Sequence, residues 1–264
     1  MPNLLTFSKE LLIFTLNQAR ASIFGASLLC TMILITLWDT QKLPLGRYDI
    51  LFLAAICIQA YLIIRKHESL REIKVIFIFH IIATIMELFK THPAIGSWRY
   101  SDTDNIFIIA TVPLFTGFLY SAVGSYIARA WRIFHLQFTH FPCLRSAALL
   151  STLIYINFFT HHFIYDIRWI LFGAAFILFY KTKVSFRLVK TVRSMPLLIG
   201  FSLIAFFLYI AENIGTLLRI WTYPNQEITW HLVPFGKYGS WLLLIIVSFT
   251  LVSMIYRQKL WKNA

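Results

Sequence analysis

Eight apolar runs fill most of the chain, from Ala21 to Trp38, Tyr48 to Ile64, Val75 to Phe89, Ile106 to Ala128, Ser146 to Thr160, Ile167 to Tyr180, Met195 to Ile220 and Tyr238 to Tyr256. A helix needs ~20 predominantly apolar residues to cross the hydrocarbon core, so eight crossings use ~160 residues. In a chain of 264 residues that leaves only short connectors and no room for a soluble catalytic domain. The composition agrees: 59% of residues are hydrophobic and 13% charged, against ~25% charged in ordinary globular domains. The sequence predicts an all-α polytopic bundle of about eight transmembrane helices, forming one domain over residues 1–264. Tilt, flanking aromatics and snorkelling Lys or Arg accommodate the shorter runs. The fifth and sixth runs read as one long hairpin whose polar tip carries His161, His162, Asp166 and Arg168.

A formal net charge of +13 suggests a nucleic-acid partner in a soluble protein, but here the 24 Lys and Arg are spread over the connectors. Topology explains them better, because basic residues accumulate on the cytoplasmic side. With the N-terminus inside, 17 fall in cytoplasmic segments: those up to Arg20, Arg65 to Lys74, Arg129 to Arg145, Lys181 to Arg193, and the residues after Tyr256. Only 7 are external, namely Lys42, Arg47, Lys90, Arg99, Arg168, Arg219 and Lys237. The expectation is a multi-pass protein of the bacterial cell membrane with both termini cytoplasmic. No small-x-small cleavage site follows the first run, which is expected to be retained. Cys30, Cys57 and Cys143 have no metal-ligand spacing, so neither a disulfide nor a zinc site is expected.

The chain also contains a repeat. Glu87, Thr91, Trp98 and Tyr100 recur as Glu212, Thr216, Trp221 and Tyr223. Val112-Pro113 matches Val233-Pro234, and Gly124-Ser125-Tyr126 matches Gly239-Ser240-Trp241. The two glutamates lie 125 residues apart, which predicts two parallel four-helix repeats, at about 1–131 and 132–264.

Glu87 and Glu212 fall in the outer third of apolar helices, where a carboxylate is costly and is kept for a purpose. Desolvation favours the protonated form and suits a general acid or proton carrier. The structural alternative is ion pairing, of Glu87 with Lys90 and of Glu212 with Arg219. Thr91 and Thr216 stand one turn beyond the glutamates, where a hydroxyl can serve a carboxyl or a substrate or simply bond its own i−4 carbonyl. Trp98, Tyr100, Trp221 and Tyr223 belong to an interfacial belt or wall a pocket. His161 or His162 with Asp166 forms a candidate proton-transfer pair, the alternative being a solvated tip. His80, alone in mid-helix, suits a buried hydrogen bond better than a haem ligand. Gly117, Ser121 and Ser125 form a stripe for close helix packing.

The strings Met86-Glu-Leu-Phe-Lys-Thr, Gly96-Ser-Trp-Arg-Tyr, Val123-Gly-Ser-Tyr-Ile-Ala-Arg-Ala-Trp-Arg, Asn157-Phe-Phe-Thr-His-His and Ala211-Glu-Asn-Ile-Gly-Thr with Tyr223-Pro-Asn-Gln resemble a bacterial multi-spanning family catalogued as domain of unknown function 817. The resemblance extends over nearly the whole chain beyond the first crossing and implies no activity. Glu87 with Thr91, Gly96, Tyr100 and Val112-Pro113 is more distantly similar to the acidic helix ends of membrane carotenoid hydratases and lycopene cyclases, which protonate isoprenoid double bonds. The Pro-x-Glu-Glu string of those cyclases is missing, which argues against cyclisation in particular.

The expectation is therefore an intramembrane acid/base enzyme acting on a lipid or isoprenoid near the outer leaflet, without a metal or other cofactor. Glu87, Glu212, His161, His162 and Asp166 are its candidate catalytic residues. Lys90, Thr91, Trp98, Tyr100, Arg168, Thr216, Trp221, Tyr223 and Asn225 are candidate substrate-binding residues. Membrane lipids are its expected partners. A proton-coupled transporter of a small solute, and a non-catalytic membrane partner or sensor, are the alternatives.

Overall fold

A computed structural model describes residues 4–38, 45–102, 105–189 and 191–256. Lys42, Lys190 and the basic residues after Tyr256, which enter the charge count above, lie outside the described residues.

Each apolar run contains a helix: α2 (Ile23–Leu37), α3 (Arg47–Ile64), α4 (Leu70–Lys90), α5 (Thr116–Ile133), α6 (Leu144–Thr160), α7 (Arg168–Phe179), α8 (Leu197–Leu217) and α9 (Gly236–Ile255). The hairpin expected from the fifth and sixth runs is α6 and α7, joined by residues 161–167. A further helix, α1 (Leu4–Ala21), precedes them and is bent by 70° from α2 at Ser22. Among the described residues three helices can cross a membrane by length and composition, α3, α8 and α9; the bent pair of α1 and α2 makes a fourth if it counts as one span. Helices α6 and α7, with 17 and 12 residues, are apolar but shorter.

Local chemistry fixes the helix ends. Ser69 caps α4 in a reciprocal box: Glu72 N donates to Ser69 Oγ and Ser69 N donates to Glu72 Oε2. Arg47, at the start of α3, donates to the carbonyls of Leu218 and Arg219 just past the end of α8, where the helix leaves acceptors unsatisfied.

The chain is not purely α-helical. β1 (Ile108–Ile109) and β2 (Val112–Pro113) form a small ladder before α5. β3 (Gln137–Thr139), β4 (Lys183–Leu188) and β5 (Thr191–Pro196) form an antiparallel sheet in the order β3-β4-β5. The basic stretch from Lys181 to Arg193, expected as a plain connector, thus folds as a hairpin. Val184 and Leu188 are buried, and Phe186 packs on Phe14 and Phe134. Thr191 and Arg193 hold Glu10, tying α1 to the sheet.

Packing follows the small residues. On α5, Ser121 donates to Ile76 O at 2.9 Å, Ser125 donates to Glu68, and Gly117 and Gly124 admit His80, Val75 and Phe79 of α4. The stripe is a packing surface, as its spacing indicates. His80 does not make the buried hydrogen bond expected of it: its Nδ1 has no partner among the described residues, and the ring occupies the space left by Gly117, against Phe118. Helix α2 packs on α3 and α5, and α6 packs on α7 and α9; α5 meets α9 between them. Helix α2 also touches α8, as α6 touches α4.

Candidate functional site

The connectors after α4 and after α8 meet at one point. Arg99 N donates to Thr222 O at 3.0 Å and Thr222 N donates to Arg99 O at 2.9 Å, a single antiparallel bridge. Side chains alternate along extended backbone, so the flanking residues of both segments, Trp98, Tyr100, Trp221 and Tyr223, project to the face opposite Arg99 and Thr222. On that face lie Glu87 and Glu212, only 2% and 5% exposed.

Each carboxyl is gripped by three aromatic donors. Glu87 Oε2 accepts from Trp98 Nε1 and Tyr100 OH, both at 2.9 Å, and its Oε1 accepts from Tyr120 OH at 2.8 Å. Glu212 Oε1 accepts from Tyr223 OH and, at 3.3 Å, from Trp221 Nε1; its Oε2 accepts from Trp241 Nε1 at 2.9 Å. The rings also touch one another, Trp98 with Tyr223 and Tyr120 with Trp241. Burial and the adjacent carboxyls push the Tyr100 and Tyr223 phenols well above their ordinary range, so both remain donors.

The ion pairs of the structural alternative do not form. Among the described residues neither glutamate has a basic partner within ion-pair distance. Lys90 Nζ lies 2.8 Å from His162 Nε2, and Arg219 donates to Glu227 O. Desolvation, with Lys90, His161 and Lys237 nearby, pushes the His162 pKa down to about 4, so the ring is neutral and accepts from the lysine. Ser97 Oγ shares the same ring nitrogen at 3.3 Å. Lys237 sits over the rings of Tyr223 and Trp98, 4.2 and 5.4 Å from their centroids.

Other candidates bond away from the two carboxyls. Thr91 donates to Glu87 O, its i−4 carbonyl, and also meets Thr111. Thr216 bonds Asn213 O and receives Trp230 Nε1, so neither threonine reaches a glutamate carboxyl. Asp166 pairs with Arg168 and Asn157, and His161 bonds Asn157 O; the proposed His–Asp pair is not formed. Asn225 is exposed on the 3-10 turn Pro224–Gln226.

One cavity of about 1020 Å³ draws the rest together. Glu87, Lys90, Trp98, Tyr100, His161, Arg168, Glu212, Trp221 and Tyr223 line it; Thr91, His162, Asp166, Thr216 and Asn225 do not. From the glutamates it runs between α2 and α8, past Leu28, Met32, Ile204 and Phe207, to Phe134, Phe138 and Phe186 beside the sheet. The candidate residues read from the sequence omit Ser97, Tyr120, Lys237 and Trp241 at the glutamate end of the wall, and Thr15, Gln18, Ser22, Tyr126 and Ser240 elsewhere on it. Two had a usable signal, since Tyr120 and Trp241 each stand eight residues after the valine of a Val-Pro pair. Tyr126 bonds Gln18, and the counterpart of Trp241 at a glutamate is Tyr120.

The profile of the family described as "Protein of unknown function (DUF817)" matches residues 10–249, and the chain belongs to that family. It is 40% identical over 251 residues to the "Uncharacterized protein YoaT" of Bacillus subtilis (strain 168), covering 95% of this chain and 93% of that one. No solved structure matches.

Proposed function

We propose that this chain is an intramembrane acid/base enzyme acting on a lipid or isoprenoid. The observation that carries the reading is that two buried carboxyls line one end of a single cavity whose walls are mostly apolar. Such a volume suits an amphiphile whose chain lies along α2 and α8 and whose reacting end meets Glu87 and Glu212. One protonated glutamate delivers a proton to a double bond or leaving oxygen, and the other, ionised, collects one. The likeness of Glu87, Thr91, Gly96 and Tyr100 to carotenoid hydratases favours an isoprenoid within this class, by analogy only.

The reading includes a duplicated architecture: eight crossings in the cell membrane, both termini inside, with α2 to α5 and α6 to α9 as parallel halves and α1 added in front. It is supported by the matched packing of α2 with α3, α5 and α8, and of α6 with α7, α9 and α4. The reciprocal bridge between Arg99 and Thr222 and the paired Trp and Tyr donors support it further.

The test is a lipid profile. Total lipid extracts from cells expressing wild type, Glu87→Gln or Glu212→Gln at equal levels are compared by mass spectrometry. The wild-type extract should show a depleted lipid and a product that both variants lack; identical profiles overturn the reading. The length of the cavity, which reaches from the glutamates to the sheet, also suits a proton-coupled transporter. In that case proteoliposome uptake follows an imposed pH gradient and the lipid profile stays constant.

A further inference from the structure

The cavity rim holds two lysines that make no ion pair among the described residues. Lys90 is 4% exposed, and its hydrogen bond goes to the neutral His162 ring. Lys237 rests on the faces of Tyr223 and Trp98. Among the described residues neither lysine has a carboxylate within 4.0 Å. A chain of contacts places them on one rim: Lys90 and Ser97 share His162, Trp98 follows Ser97, and Lys237 lies over Trp98. Burial and the repulsion of Lys237 and Arg168 push the Lys90 pKa down to about 7, against the attraction of Asp166, and a bound anion would favour the charged amine. Glu212 and Glu87 attract Lys237, but among the described residues neither comes within 4.0 Å of a lysine, and their oxygens are held by the six aromatic donors. An isolated ammonium in a water-poor wall is costly, and an anion placed against it by a ligand removes much of that cost.

We propose that Lys90 and Lys237, with Ser97 and Arg168 beside them, form an anion site, and that the amphiphile of the preceding reading, on which this rests, carries a phosphate or carboxylate head on its long apolar chain. The head sits between the two lysines. The chain then passes Glu87 and Glu212 on its way between α2 and α8, so the carboxyls face the carbons near the head. Trp98, Trp221 and Trp241 line the same space and report occupancy.

The test uses the full chain in phosphatidylcholine nanodiscs and three probes of equal chain length: hexadecyl phosphate, palmitate and hexadecanol. The change in tryptophan emission wavelength and intensity is read against probe concentration in the bilayer. At least one anionic probe should bind ten-fold or more tightly than hexadecanol, and the better of the two identifies the head as phosphate or carboxylate. Lys90→Gln and Lys237→Gln should each weaken the anionic probe at least ten-fold and leave hexadecanol unchanged. Lys237 is half-buried, so its variant serves if the buried Lys90 proves necessary for folding. Equal binding of anion and alcohol, or an anion preference that survives Lys237→Gln, overturns the site. The two readings fail separately. An absent anion preference with a Glu87-dependent lipid profile removes the rim alone. An intact preference with a profile indifferent to Glu87 leaves a binding site and removes the enzyme.

Discussion

Changing each glutamate to glutamine should have unequal effects on stability. The change keeps shape and replaces one acceptor oxygen by a two-proton donor. Glu87 can accommodate it: the amide nitrogen takes the Oε1 position, opposite Tyr120, whose hydroxyl turns to accept. Its Oε2 position then keeps Trp98 and Tyr100. Glu212 has no such orientation, because Trp221 Nε1 faces one oxygen and Trp241 Nε1 the other, and an indole N–H can only donate. Whichever way the amide is turned, two donors oppose each other in a buried site, at a cost of about 1–3 kcal/mol. In a chain of this size that is ~2–4 °C of melting temperature per kcal/mol, so Glu212→Gln should melt ~2–12 °C below Glu87→Gln. Thermal unfolding of both variants in one detergent, followed by tryptophan fluorescence, reads the difference. Equal melting temperatures, or a lower one for Glu87→Gln, refute the donor geometry. The same asymmetry makes Glu87→Gln the cleaner variant for the lipid profile.

Gly215→Ala sets a Cβ 2.1 Å from the Trp221 ring, and overpacking of this kind costs about 1–3 kcal/mol. A lowered melting temperature with altered tryptophan emission is expected, and wild-type values on both counts contradict it. Gly173→Ala in α7 meets nothing within 4 Å and should instead stabilise by about 0.5–1 kcal/mol, the ordinary gain for replacing a helical glycine; a fall in melting temperature contradicts that. His162 titrates lower in the fold, at about 4, than its ordinary 6.5, so the fold favours the neutral ring. Its contribution is complete above about pH 6.5 and shrinks as pH falls towards 4. The melting advantage of wild type over His162→Gln should therefore be smaller at pH 4.5 than at pH 7, and a constant difference speaks against the neutral ring.

The helices were legible because burial of apolar runs is the strongest signal in this composition, and the glutamates because a carboxyl in such a run is costly. Helix α1 was not: its Lys9, Glu10 and Arg20 make it read as a polar lead-in, although it packs on α5 and the sheet. The hairpin of β4 and β5 was hidden in the same way, its exposed Lys183, Arg187 and Arg193 masking the inward Val184 and Leu188. Tyr120 and Trp241 escaped notice because aromatics inside apolar helices are ordinary. The spacing of the two motifs also differs, since Trp98 to Tyr120 spans 22 residues and Trp221 to Trp241 spans 20. Connectors tolerate such changes while the helix faces that grip a carboxyl do not. Lys237 was read as a topology charge. Only the fold reveals that it lies over Trp98, a residue 139 positions away.

The central claim, that the two acidic motifs close on one another around a common chamber, is tested most directly by a cross-link. Arg99 and Thr222 exchange both backbone hydrogen bonds, an arrangement that sets their Cα atoms about 5.5 Å apart, within disulfide range. Arg99→Cys and Thr222→Cys are combined in a chain whose Cys30, Cys57 and Cys143 are replaced by serine, with a protease site inserted between α5 and α6. After mild oxidation and cleavage, the halves should migrate as one band that dithiothreitol separates. Two bands without reductant, from protein that remains folded, contradict the claim.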